Sequence, residues 1–144
     1  MREKGISPII DPRSVGLIAA VFFTTAVLGA LATASETCVE DARAALDEWS
    51  PKAFGPQATV QGPKRLETIE REELAEIAKC RDCPQKPFGY QYAEWEQFKR
   101  LIRDSDCVVF FRSNPASWKG LYGMEGYALI ENRKVVRIIV TMMS

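Results

Sequence analysis

The sequence predicts an α+β fold, with three helices followed by a C-terminal three-stranded antiparallel β-meander, stabilised by disulfides. Two observations predict this class. Apolar side chains recur at helical spacing in three stretches, residues 37–49, 70–80 and 92–103. Runs of β-branched and aromatic residues, separated by turn residues, follow at 107–112, 126–131 and 134–141. At 144 residues, the chain has room for one such domain.

The first helix, residues 37–49, is predicted to begin with a capping box. Thr37 supplies a hydroxyl cap and Glu40 a carboxylate three residues later. Its apolar stripe is expected to be a core contact, because a domain this small needs that burial; it comprises Val39, Ala42, Leu46 and Trp49. Residues 51–64 hold three prolines and two glycines and are predicted to form a loop, with a short extended piece around residues 58–60.

The second and third helices are predicted from charge and from aromatic spacing. Acidic residues in the first turn of 70–80 and Lys79 in the last turn complement the helix dipole. The third helix, 92–103, carries the broadest apolar face of the chain, formed by Trp95, Phe98, Leu101 and Ile102. A helix of this kind directly before a meander is expected to pack across one face of the sheet.

The meander is predicted from a two-residue turn at Asn132-Arg133, which pairs Glu131 with Lys134. Continuing that register places Val136 opposite Leu129 and Ile138 opposite Tyr127. The predicted core face of the hairpin therefore comprises Tyr127, Leu129, Val136, Ile138 and Val140. The other face is mixed, with Arg137 in its middle, and is either covered by the N-terminal helix or left for a partner. The continuously apolar strand at 107–111 is expected to be buried on both faces.

Residues 1–34 are predicted to be a signal peptide or a membrane anchor, and residues 35–144 an exported α+β domain. The run 15–34 has no charged residue, with basic residues before it and acidic residues after it. Ala32-Thr33-Ala34 fits signal cleavage, and the run of about 20 residues is also long enough to span a bilayer. Both alternatives place the domain outside the cytoplasm, in the periplasm or tethered to the inner membrane, and make the membrane a partner at least during export.

Four cysteines, all in the exported part, are the disulfide candidates: Cys38, Cys80, Cys83 and Cys107. An even count in a small exported domain favours two disulfides, and three pairings are possible. A thiol-redox role for the Cys80/Cys83 CxxC motif is an alternative, although the motif ends a helix, where the dipole disfavours the thiolate. A zinc site would need a second CxxC pair, which the sequence lacks.

The segment 112–126, between the first two strands of the meander, is the candidate binding surface. It is too long for a tight hairpin and contains glycines that permit unusual backbone angles. Its aromatic and cationic side chains are the types that dominate interface energetics; the candidate residues are Arg112, Trp118, Lys119, Tyr122 and Met124. The competing interpretation is that Trp118 and Leu121 fold back and plug the sheet edge.

Composition removes several classes of function. The 19 basic and 19 acidic residues balance, which disfavours a nucleic-acid partner. Histidine is absent, so the usual proton-transfer side chain and a common metal ligand are missing. Carboxylate pairs between Glu125 and Asp104 or Asp106 are the remaining catalytic option, but no motif unites nucleophile, base and orienting group. We therefore expect no enzyme, no cofactor and no metal site.

The sequence thus predicts an exported, non-enzymatic interaction domain that binds a protein or another component of the cell envelope through residues 112–126. The alternatives are a thiol-redox accessory protein that uses Cys80 and Cys83, and a structural envelope protein anchored through residues 15–34.

Overall fold

Four antiparallel strands, in the order β1-β2-β3-β4, form the central sheet of the computed structural model, which describes residues 35–144 apart from Ser105. The strands are β1 (Thr59–Gln61), β2 (Cys107–Arg112), β3 (Met124–Glu131) and β4 (Lys134–Met143). The helices are α1 (residues 35–49), α2 (Leu66–Ile77), α3 (Tyr92–Leu101) and α4 (Pro115–Lys119), with a 3-10 turn at Gly89–Gln91. The α+β class is confirmed.

One face of the sheet is covered by α1 and the loop that follows it. Ala42, Ala45 and Leu46 of α1 follow the three- and four-residue spacing of one helix face, and all three are buried. They share a core cluster with side chains of the loop, of β1, of β2 and of β3, among them Phe54, Val60, Phe111 and Ile130. On β3, the side chains of the predicted mixed face, Ala128 and Ile130, therefore lie on the side that the N-terminal helix covers.

The opposite face carries α2 and α3. Trp95 and Phe98 of α3 and Ile69 of α2 are buried in one cluster with side chains of all three long strands. The expected packing of the third helix across the sheet is thus confirmed. In β2, Val108 belongs to this cluster whereas Val109 belongs to the α1 side, so this strand is buried on both faces as predicted.

Two elements correct the prediction of three helices and a three-stranded meander. The extended piece foreseen near residue 60 is a full fourth strand, β1, which pairs antiparallel with β2. The segment 112–126, predicted as a loop, contains the short helix α4. The predicted helix 70–80 was also misplaced, because α2 already begins at Leu66 and ends at Ile77. The earlier start brings Ile69 into the helix, where it is fully buried. The glutamate-rich stretch therefore lies in the middle of α2 rather than in its first turn.

The hairpin register was right at the turn and wrong beyond it. Glu131 pairs with Lys134 as predicted, and both turn residues have positive φ, as a type I′ hairpin turn requires. A bulge then follows at Val136, so that Leu129 pairs with Arg137 and Tyr127 with Ile139. The extra residue distributes the predicted core face over both sides of the sheet, with Ile138 on the α1 side.

Among residues 35–144 without Ser105, every helix is too short or too polar to cross a bilayer. The predicted signal peptide or anchor, including the apolar run 15–34, lies outside the described residues.

Candidate functional site

The segment 112–126 is held in place by the cap of its short helix. The Asn114 Oδ1 accepts a hydrogen bond of 2.8 Å from the Ser117 amide, and its Nδ2 donates to the carbonyl of Phe54. The hydroxyls of Ser113 and Ser117 are 2.7 Å apart, and both serines are buried. Because buried polar groups are costly to leave unpaired, these hydrogen bonds anchor the segment to the rest of the domain.

Trp118 lies between a glycine and an arginine. The Arg112 guanidinium is centred 4.3 Å from the indole ring centroid, and it also forms an ion pair with Glu125. A Cβ at Gly123 would stand 2.6 Å from the indole, so only glycine permits this packing. Within the described part of the chain, the buried indole N–H finds no acceptor. Packing rather than a hydrogen bond therefore positions Trp118.

Three of the five predicted binding residues line a common cleft of about 340 Å³, which we name the Trp118 cleft. Its walls are Gln57, Thr59, Arg112, Ser113, Pro115, Trp118 and Lys119. Of the remaining two, Met124 packs against the α1-side core. Tyr122 lies nearby under the Lys52 ammonium, which is 4.5 Å from its ring centroid. A cleft of this volume falls in the range of small-ligand sites.

Leu121 does not plug the edge of the sheet, which was one of the two interpretations of this segment. Its side chain is 79% exposed. Its φ of 61° places it in the left-handed region, which leucine adopts only at an energetic cost. A lone leucine in the turn after Gly120 carries no periodic signal, so only the fold reveals that its side chain points away from the core.

The four cysteines form two disulfides. Cys38–Cys107 joins α1 to β2, and Cys80–Cys83 closes the turn after α2, with Cα separations of 5.8 and 5.4 Å. This is one of the three pairings that the sequence left open, and the described chain has no free cysteine. Nor do the described residues contain a cluster of His, Cys, Asp or Glu that could hold a metal ion.

A second cleft, of about 400 Å³, was not foreseen. Four carboxylates line this acidic cleft together with aromatic side chains; its walls include Glu72, Glu73, Glu76, Glu125, Phe88, Phe110, Tyr127, Thr141 and Met142. From the sequence, the glutamates of α2 were expected to complement the helix dipole. Their spacing, at 72, 73 and 76, was a signal that they share one helix face.

Glu73 differs from the other carboxylates of the acidic cleft. Glu72, Glu76 and Glu125 each have an ion pair, with Lys64, Lys79 and Arg112 respectively. Within the described residues Glu73 has none, and burial raises the pKa of its carboxyl, although a hydrogen bond with Tyr127 opposes the shift. Burial, the charge of Glu73 and their shared hydrogen bond raise the pKa of Tyr127 in turn.

The carboxylate pair considered as a catalytic option is not assembled. Glu125 lies opposite Arg112 at one end of β2, whereas Asp106 precedes the other end. Along the strand, Asp106 and Arg112 are six residues apart, which corresponds to roughly 20 Å. Neither Asp104 nor Asp106 lines the Trp118 cleft or the acidic cleft.

Comparison with known proteins adds no assignment, since no family model, curated protein or solved structure matches this chain.

Proposed function

We propose that this chain is an exported, non-enzymatic interaction domain that binds a protein of the cell envelope through residues 112–126. The observation that carries the proposal is Leu121, an apolar side chain 79% exposed on an anchored segment, in a backbone conformation unfavourable for leucine. Strained residues of this kind concentrate at ligand clamps and other functional sites, where the surrounding structure maintains them.

The charges around Leu121 favour a partner with an apolar pocket and an acidic rim. Lys52 lies over the ring of Tyr122, and Lys119 is exposed without an ion pair in the described part of the chain. Arg112 covers Trp118 at the adjacent cleft. Apolar anchors surrounded by cations and aromatic rings are typical of the centre of protein–protein interfaces.

The test compares Leu121→Ala and Leu121→Gly with Leu101→Ala, which changes another exposed leucine, on α3. Each variant and the parent chain is used to capture proteins from an envelope extract, and the captured set is quantified by mass spectrometry. A partner retained by the parent and by Leu101→Ala, and lost with both Leu121 variants, supports the proposal. Equal capture by all four chains contradicts it.

Thermal unfolding separates binding from stability. Leu121→Gly removes the left-handed strain, so we expect its stability to equal or exceed that of the parent by up to about 1 kcal/mol. Leu121→Ala keeps the strain and should unfold close to the parent. Replacing Trp118 by alanine is a poorer test, because its indole fills the space over Gly123.

Export is part of the proposal, and the disulfides support it. Bonded cysteine pairs persist in oxidising compartments such as the periplasm. Sequencing of the mature N-terminus distinguishes a cleaved signal peptide, with Ser35 first, from a retained membrane anchor. Retention would favour the alternative of a structural envelope protein anchored through residues 15–34.

The thiol-redox alternative rests on Cys80 and Cys83. Their disulfide follows the C-terminal end of α2, where the negative end of the helix dipole opposes thiolate formation. We therefore favour binding over redox chemistry. An insulin-reduction assay decides between them, since a redox protein would accelerate reduction and a Cys80→Ala/Cys83→Ala variant would not.

A further inference from the structure

Strand β4 is a long edge strand. Its ten residues, Lys134–Met143, pair with β3 on one side, and no other strand of the described chain lies on the other side. Backbone groups along such an edge are open to pairing with another strand. Val136 and Met142 are 43% and 51% exposed, so apolar side chains accompany the open backbone.

Two bulges limit what can pair with this edge. β4 has one residue more than β3 at Val136 and again at Thr141. Bulges and charges protect edges from indiscriminate pairing, and they leave residues 137–140 as the regular stretch. A strand that binds here must therefore match a short segment and its charges.

Charge changes along β4. At its start lie Lys134 and Arg137, and Arg137 forms no ion pair within the described residues. At its end, Thr141 and Met142 line the acidic cleft, whose Glu73 is the carboxylate without a cation. Arg137 pairs with Leu129, which belongs to the α2–α3 side of the sheet, and the acidic cleft opens on that same side.

We propose that two copies of this chain pair antiparallel through their β4 edges, with Arg137 of each copy placed at the acidic cleft of the other. When the two-fold axis passes Ile139, position 137 stands opposite 141. Opposite residues in an antiparallel pair project to the same face with Cβ atoms about 5 Å apart. Each guanidinium then lies on the cleft side, beside Thr141.

The occupant is a second copy because one chain carries both halves of the match, with Arg137 near the start of β4 and the acidic cleft beside its end. Antiparallel self-pairing brings the basic start of β4 to the acidic cleft beside the end of its twin's β4, and the two-fold symmetry repeats this contact. A two-fold interface requires this self-complementarity. The pairing also supplies Glu73 with the cation that its own chain lacks.

The first experiment measures association of the full-length chain, in a mild detergent, by sedimentation velocity over a concentration series. We expect a concentration-dependent dimer that Arg137→Glu weakens at least about tenfold, because it places carboxylates together. The matched control is Arg65→Glu, which reverses an exposed charge at the start of α2 and should change the dissociation constant by less than about twofold.

A chain that stays monomeric at every concentration overturns the proposal. Association that the two variants weaken equally overturns it as well, because contact through another region, including residues 15–34, would not discriminate between them.

The second experiment tests the register. An Arg137→Lys chain is mixed in unlabelled and ¹⁵N-labelled forms and treated with a carbodiimide, which joins amines to adjacent carboxylates. Mass spectrometry should find mixed-label links between the introduced lysine and Glu73 or another carboxylate of the acidic cleft, and the parent chain should lack them. Links confined to one chain, or to carboxylates outside that cleft, contradict the arrangement.

Discussion

Removing each disulfide separately should have very different effects on stability. Cys38–Cys107 closes a loop with a sequence separation of 69, whereas Cys80–Cys83 has a separation of 3. On the chain-entropy model, these cross-links restrict the unfolded chain by about 4 and about 2 kcal/mol respectively. Cys38 and Cys107 also pack against the α1-side core, so their loss adds a packing defect.

Urea unfolding followed by tryptophan fluorescence measures the difference. We expect Cys38→Ala/Cys107→Ala to lose about 4 kcal/mol or more, and its counterpart Cys80→Ala/Cys83→Ala, the matched control, to lose about 2 kcal/mol or less. A small domain has only about 5–15 kcal/mol in total, so the first variant should be marginally folded. Equal losses, or a larger loss from the short loop, would show that loop length does not set the contribution of each disulfide.

Three further predictions concern charge and backbone packing. Glu73→Gln should stabilise the single, undimerised chain at neutral pH, because burial raises the pKa of Glu73 above its ordinary value of 4.5 and the folded state disfavours the ionised form. The gain should vanish as the pH falls below that value, and urea titrations at several pH values, at protein concentrations too low for association, check it. Glu70→Gln should lose about 0.5–1 kcal/mol at neutral pH, because Glu70 accepts hydrogen bonds from Lys99 and Trp95. Those bonds lower the pKa of Glu70, so their contribution is present above pH 4.5 and is lost as the pH falls through the folded-state pKa, where parent and variant curves should converge. Gly126→Ala should lose more than about 2 kcal/mol in thermal unfolding, because a methyl group there would overlap the backbone of β4; a loss below about 1 kcal/mol would contradict the close approach.

The candidate site was only partly predictable. Arg112, Trp118 and Lys119 were selected by residue type, and the fold brings them to one cleft. Thr59 and Gln57, which complete that cleft, come from a distant part of the chain and carry no sequence signal of their own. The acidic cleft likewise unites α2 with the ends of β3 and β4, so that only tertiary packing reveals it.

Features that depend on neighbours along the chain could be predicted from the order of the residues alone. Apolar residues at helical spacing identified α1 and α3, and β-branched runs located β2, β3 and β4. The Asn132-Arg133 turn set the start of the hairpin. Each of these follows from local side-chain spacing and turn geometry.

Tertiary structure decided everything that depends on contacts between distant residues. The cysteine pairing, the addition of β1 to the sheet edge and the bulge at Val136 each arise where remote segments meet. The same is true of the outward position of Leu121, which local preference opposes and which the anchored segment around it maintains. Spacing along the chain does not encode such contacts, because their free energy comes from burial and hydrogen bonding that exist only after the elements have packed together.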